Sequence, residues 1–188
     1  MPLSSAEGKT WTRARISELA AVSPVSILDI GPGVGTYAKL LRDLPVERIT
    51  AIEIWQPYLT TYRLADYYDE VIIGDARTVD FPSADIVILG DVAEHMTEAE
   101  ALALWEKSAA AAAQAVYLSI PIVPYPQGHI EGNTHEAHVV DDWNHERVLA
   151  AFTGIGNFWT GAEVGVYERL TRPWKSAVAR ASQDGAGR

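Results

Sequence analysis

Hydrophobic positions along this chain follow two rhythms. Five short runs are apolar almost throughout: VSILDI (25–30), ITAIEI (49–54), EVIIG (70–74), ADIVILG (84–90) and AVYLSIPI (115–122). Such runs predict strands buried on both faces. Between them the apolar positions move to helical spacing. Tyr37, Leu40, Leu41 and Leu44 form one stripe and predict a helix over Thr36–Leu44. Helices are also expected over 11–22, 57–68 and 141–152. Thr97 and Glu100 form a capping box that should open an Ala-rich helix over 97–114. A polar loop, 123–140, follows the fifth strand, and 155–164 with 165–170 reads as a closing antiparallel pair.

Strands alternating with helices predict an α/β fold with a parallel sheet. The nine residues Asp75–Ser83 between strands three and four test the doubly wound order. Crossing three strand spacings and one strand length needs roughly 23 Å, and nine extended residues reach about 30 Å. The link is feasible and leaves no room for a long helix.

Composition narrows the function. The chain has 188 residues, enough for one domain with a full core, and 48% apolar against 21% charged residues suits a globular protein. No membrane-length apolar run and no signal-peptide pattern is visible. Zero cysteines exclude disulfides, thiolate metal sites and thiol nucleophiles, and fit a cytoplasmic protein. A net charge of -10 argues against a nucleic-acid substrate. Residues 1–174 read as one domain, and the small, polar stretch 175–188 predicts a disordered tail.

Chemistry concentrates at ILDIGPGVGTYAKLLRD (27–43), where a strand ends in Asp29 and turns through Gly31, Pro32, Gly33 and Gly35 into a helix. Glycines at that turn let a ligand lie against the backbone. Two ligands compete. A dinucleotide site wants G-x-G-x-x-G, but Thr36 stands where the third glycine belongs. Its pyrophosphate would also face carboxylates at four strand ends: Asp29, Glu53, Asp75 and Asp91. A ligand with an amino group, ribose and adenine but no phosphate suits that set, and S-adenosylmethionine is one. Each lone acidic residue also has a plainer reading as a turn or helix cap. Glu53 ends an otherwise apolar strand, where an unpaired carboxylate would be costly to bury.

The segments LDIGPGVG, AIEI, GDA and DIVILGDVAEHM together resemble the motifs of class I S-adenosylmethionine-dependent methyltransferases, over about residues 24 to 171. The resemblance implies a doubly wound, Rossmann-like seven-stranded sheet of order 3-2-1-4-5-7-6 with strand seven antiparallel. It also implies roles. Gly31, Pro32, Gly33 and Gly35 would take the methionine part. Asp29 would hold the glycine turn and face the ammonium. Glu53 would accept from both ribose hydroxyls. Ile54 or Trp55 would flank the adenine, with Asp75 and the Ala76 N–H on its edge. Gly90 and Asp91 would lie by the methionine amino group or the methyl. His95 either lines the cofactor pocket or serves the structure of the turn.

Four of the five histidines lie between 129 and 145. Three readings of that loop stay open: a polar lid, a substrate site with a histidine base, or a divalent-metal site on His135, His138 and a carboxylate. No dedicated metal-ligand spacing is present, and no metal is assigned. On an extended stretch Glu136 and His138 share a face, His138 as base and Glu136 as orienter. The reading is methyl transfer to a small polar acceptor, by O-methylation, with Asp91, Glu136 and His138 at the reacting centre. A second copy of the chain could cover the open site as a homodimer. A nicotinamide-dependent oxidoreductase and a non-catalytic adenosylmethionine-binding protein are the alternatives.

Overall fold

The computed structural model describes residues 5–172. Seven strands form one sheet: β1 (Val25–Ile30), β2 (Val46–Glu53), β3 (Glu70–Ile73), β4 (Ala84–Gly90), β5 (Ala112–Pro121), β6 (Asn157–Thr160) and β7 (Val164–Leu170). Their order is β3-β2-β1-β4-β5-β7-β6. The first five run parallel, and β7 is antiparallel to both β5 and β6. This is the expected doubly wound sheet.

Five helices flank it: α1 (Lys9–Ala20), α2 (Thr36–Leu41), α3 (Pro57–Thr61), α4 (Glu98–Ala111) and α5 (His145–Ala151). Consecutive strand residues feed opposite cores, as period-two geometry requires. Ile27, Ile86, Ile88 and Tyr117 pack under α1 and α2 with Ile16, Leu19 and Leu41. Leu28, Val87, Val116 and Leu118 pack under α4 and α5 with Leu104, Trp105, Val148 and Phe152. Both faces are covered, so the central strands have no polar side to show.

Several boundaries move, each for a local reason. The helix expected over 57–68 stops at Thr61. Arg63 takes φ 51°, and a 3-10 turn (Leu64–Asp66) follows. That break lets Tyr58, Leu64 and Tyr68 all reach one small core beside Ala38 and Ala51. The helix expected to run to 114 ends at Ala111, because Ala112 pairs with Ala84 in the sheet. The helix expected from 141 begins at His145, where the Asn144 side chain accepts from the Arg147 N–H. The closing hairpin turns at 161–163 rather than at 164. The Thr97–Glu100 capping box forms as expected. The stretch 74–83 contains no helix. The tail over 175–188 lies outside the described residues. Among those described, no helix is long and apolar enough to cross a membrane.

Candidate active site

The carboxyl ends of β1, β2 and β4 open on a cleft of about 350 Å³, within the size range of small-molecule pockets. It sits where strand order reverses, between β1 and β4, the switch point of a doubly wound sheet.

One wall is the turn after β1. Gly31 and Gly33 have φ 66° and 52°, the left-handed region that disfavours a side chain. A Cβ on Gly31 would lie 2.7 Å from a methyl of Val92. Across the cleft, Gly90 packs against Tyr37 so closely that a Cβ would stand 2.3 Å from its ring. Glycine at both places follows from the approach of neighbours, and it leaves bare backbone facing the cavity.

The floor and far end carry carboxylates. Asp29 is 1% exposed. It accepts from the Tyr68 hydroxyl at 2.6 Å through Oδ2, while Oδ1 has no partner among the described residues. Burial raises its pKa to about 7. Glu53 accepts from the Trp55 N–H at 2.7 Å, and burial pushes its pKa to about 7 as well. Glu136 lies nearby and adds repulsion. Asp75 is held by Arg77, Nη2 to Oδ2 2.7 Å, which keeps its pKa low.

Asp91 adopts φ 56°, the strained backbone that clusters at functional sites. Its Oδ1 accepts from Ser119 Oγ at 2.7 Å, and Oδ2 lies 3.4 Å from Lys9 Nζ. Lys9 is itself buried and donates to the Tyr37 hydroxyl at 3.0 Å. Burial pulls the Lys9 pKa down, but Asp91 and Tyr37 outweigh it and the net shift is upward. A buried cation on the first helix thus braces the carboxylate at the end of β4.

The third wall is the loop after β5. Tyr125 and Asp141, then Gln127 and His138, pair through backbone hydrogen bonds, which folds the loop back on itself. The Val139 and Val140 N–H groups donate to the Glu94 carbonyl and pin that fold to the 3-10 turn Ala93–His95. Tyr58 Oη donates to Glu136 at 3.0 Å and ties the same loop to α3. The docking places His138 against His95, ring centroids 4.9 Å apart. His135 goes elsewhere, facing Trp55 at 6.1 Å. The two histidines three residues apart are not brought together.

His138 Nδ1 lies 2.6 Å from the Tyr125 carbonyl, and His95 Nδ1 lies 3.3 Å from that of Ala137. A carbonyl only accepts, so Nδ1 of His138 carries the proton and its Nε2 keeps the lone pair; the His95 ring also meets the backbone at Asp91 and Glu136. Burial lowers the pKa of both rings. A neutral imidazole can take a proton or bind a cation through its unprotonated nitrogen. The group that orients His138 is the Tyr125 carbonyl; the Glu136 side chain is engaged by Tyr58 instead.

Gly31, Pro32, Gly33, Glu53, Ile54, Asp75, Ala76, Gly90, Asp91, His95, Glu136 and His138 all line this cleft. Asp29 and Gly35 stand just behind it. Asp29 is covered by the turn, and Gly35 precedes α2 at φ 79°. Sequence reasoning passed over Lys9, Tyr68 and Glu94. Glu94 is 2% exposed, lines the cleft, and its Oε2 has no partner among the described residues.

The family model described as a methyltransferase domain matches residues 28–110, which span the strand ends just described. The match covers 83 of the 188 residues, so the likeness to a methyltransferase domain extends over less than half of the chain. The strand order is that of the class I methyltransferase fold. Among solved structures, the chain is similar to the N-terminal domain of EvdMO1 with SAH (S-adenosylhomocysteine) bound, at 18% identity and TM-score 0.64, over 90% of this chain and 83% of that one. It is similar to magnesium protoporphyrin IX methyltransferase (ChlM) from Synechocystis PCC 6803 with SAH, at 16% identity and TM-score 0.61, over 87% and 83%. It also resembles the pyocyanin biosynthetic protein PhzM at 17% identity and TM-score 0.63, over 84% of this chain and 53% of that one. No curated protein matches the chain.

The cleft fits S-adenosylmethionine on its own chemistry. The carboxylates of Glu53 and Asp91 line the cleft, and ribose hydroxyls, an ammonium and a sulfonium are the donors and cations that carboxylates take. The bare backbone at Gly31–Gly33 admits a ligand at close range.

Proposed function

We propose that the chain methylates a hydroxyl of a small polar metabolite. The observation that carries this reading is the pair of neutral imidazoles on the acceptor side of the cleft. His138 is half-buried on a docked loop, with its Nδ1 proton given to the Tyr125 carbonyl. When bound, S-adenosylmethionine supplies a methyl group on a sulfonium cation.

The chain's own residues then have separate tasks. Glu53 accepts from the ribose hydroxyls, Asp29 and Asp91 face the methionine ammonium, and Ile54, Asp75 and Ala76 border the adenine. Arg77 holds Asp75, so an adenine amino group would share that carboxylate with it. Loop 125–140 closes the acceptor side, with Tyr125, Asn133 and Gln127 offering polar contacts. His138 Nε2 takes the hydroxyl proton as the oxygen bonds to carbon, and positioning supplies most of the rate. Glu136 fixes the loop to Tyr58 and leaves its second oxygen for the acceptor. A carboxylate-lined cleft with Lys9 paired to Asp91 does not favour a nucleic-acid acceptor.

The experiment incubates the protein with methyl-labelled S-adenosylmethionine and a panel of hydroxylated and amino metabolites. Label in an ether or ester supports the reading. Label only on nitrogen or carbon, across a panel containing both acceptor types, overturns the O-methylation part.

A further inference from the structure

We propose that Glu94, His95 and His138 form a binding site for a divalent first-row transition cation at the acceptor end of the cleft. One carboxylate oxygen of Glu94 and one ring nitrogen from each histidine lie within 4.8 Å of one another, the one such group among the described residues. Around a tetrahedral zinc with bonds of about 2.0–2.1 Å, neighbouring ligand atoms stand about 3.3 Å apart. The three therefore need to close by at most about 1.5 Å, within the reach of side-chain rotation.

An independent observation points to a cation. Glu94 is 2% exposed, and its Oε2 has no hydrogen-bond partner among the described residues although it borders the cavity. Burying a carboxylate oxygen without a donor is costly, and a bound cation removes that cost. The surroundings are those of metal-binding histidines. The His138 ring gives Nδ1–H to the Tyr125 carbonyl, and His95 Nδ1 lies 3.3 Å from the Ala137 carbonyl, the backbone orientation that metal-binding histidines use. The Glu94 carbonyl accepts from Val139 and Val140, so the same turn that carries two ligands holds the loop carrying the third. Two imidazoles and a carboxylate suit zinc, cobalt or iron(II) rather than magnesium or calcium, which prefer oxygen. Three protein ligands leave coordination positions open toward the cleft.

The inference goes beyond the methyl-transfer reading and does not rest on it, because binding is measured without turnover. The full chain is titrated with zinc by calorimetry, and with cobalt by its visible d–d absorption. Expected are one zinc per chain, tetrahedral-type cobalt bands, and no binding of magnesium at equal concentration. Glu94→Gln and His138→Ala should each weaken zinc at least about tenfold, while His129→Ala, an exposed histidine outside the cluster, should leave it unchanged. His138 sits on a loop, so its variant keeps the test open should Glu94→Gln fail to fold. No zinc binding, or zinc binding unaffected by His138→Ala, overturns the proposal.

Discussion

Glu53 offers a prediction whose size can be worked from the structure. Its carboxyl is 4% exposed and has a pKa of about 7 without ligand. Two ribose hydroxyls require the ionised form as acceptor. Binding therefore lowers the pKa and releases a proton. With a pKa of about 7, the carboxyl is about nine-tenths ionised at about pH 8 and about one-tenth ionised at about pH 6. The dissociation constant of S-adenosylhomocysteine should thus rise about tenfold from the higher pH to the lower through Glu53, about 1.4 kcal/mol. Asp29, also at about 7, adds a slope of its own. Glu53→Gln keeps the shape and removes the titration. It should weaken binding at the higher pH by about 1.5–3 kcal/mol and flatten the pH dependence by about one order of magnitude. The assay is calorimetry at three pH values, in buffers of differing ionisation enthalpy. At about pH 7 the wild type should release about half a proton from Glu53 on binding. An affinity flat with pH, or an equal slope in wild type and Glu53→Gln, refutes the assignment.

Calorimetry should also show S-adenosylhomocysteine binding and no NADH binding, since a pyrophosphate would meet Asp29, Glu53 and Asp91; tight NADH binding would revive the oxidoreductase. His138→Ala should lower the single-turnover transfer rate about a hundredfold and leave cofactor affinity unchanged. In the wild type that rate should rise with pH over a limb below the ordinary histidine range, because burial lowers the His138 pKa. Zinc bound at that site should slow transfer, because one lone pair cannot bind a metal and take a proton together; an unaltered rate in His138→Ala removes His138 from the base role. Tyr68→Phe strips Asp29 Oδ2 of its donor and should cost about 1–3 kcal/mol in urea unfolding, so an unchanged midpoint would show that the bond contributes little.

The strands and the residues at their ends were legible in the sequence because both depend on local pattern, while the strand order came with the family resemblance. Ile27 and Leu28 announce a strand covered on two sides, and Gly31, Gly33 and Glu53 fall where strands end. Helix ends without a chemical marker were less legible. Ala111 and Ala112 are the same residue type, and pairing with Ala84 alone turns one from helix to strand. Tyr68 reads as packing until the chain breaks at Arg63 and swings it under Asp29. Glu94 and His95 acquire meaning from His138, more than forty residues later, through backbone bonds that no side-chain pattern encodes. Lys9 is similar: a lysine at a helix start says nothing of Asp91 until α1 packs against the end of β4.

The most direct test is a crystal structure of the protein with S-adenosylhomocysteine. The account predicts both ribose hydroxyls on the Glu53 carboxylate, the methionine part along Gly31–Gly33, and the sulfur facing the chamber bounded by His95 and His138. A ligand bound with its ribose away from Glu53, or with its sulfur turned from those histidines, would contradict it.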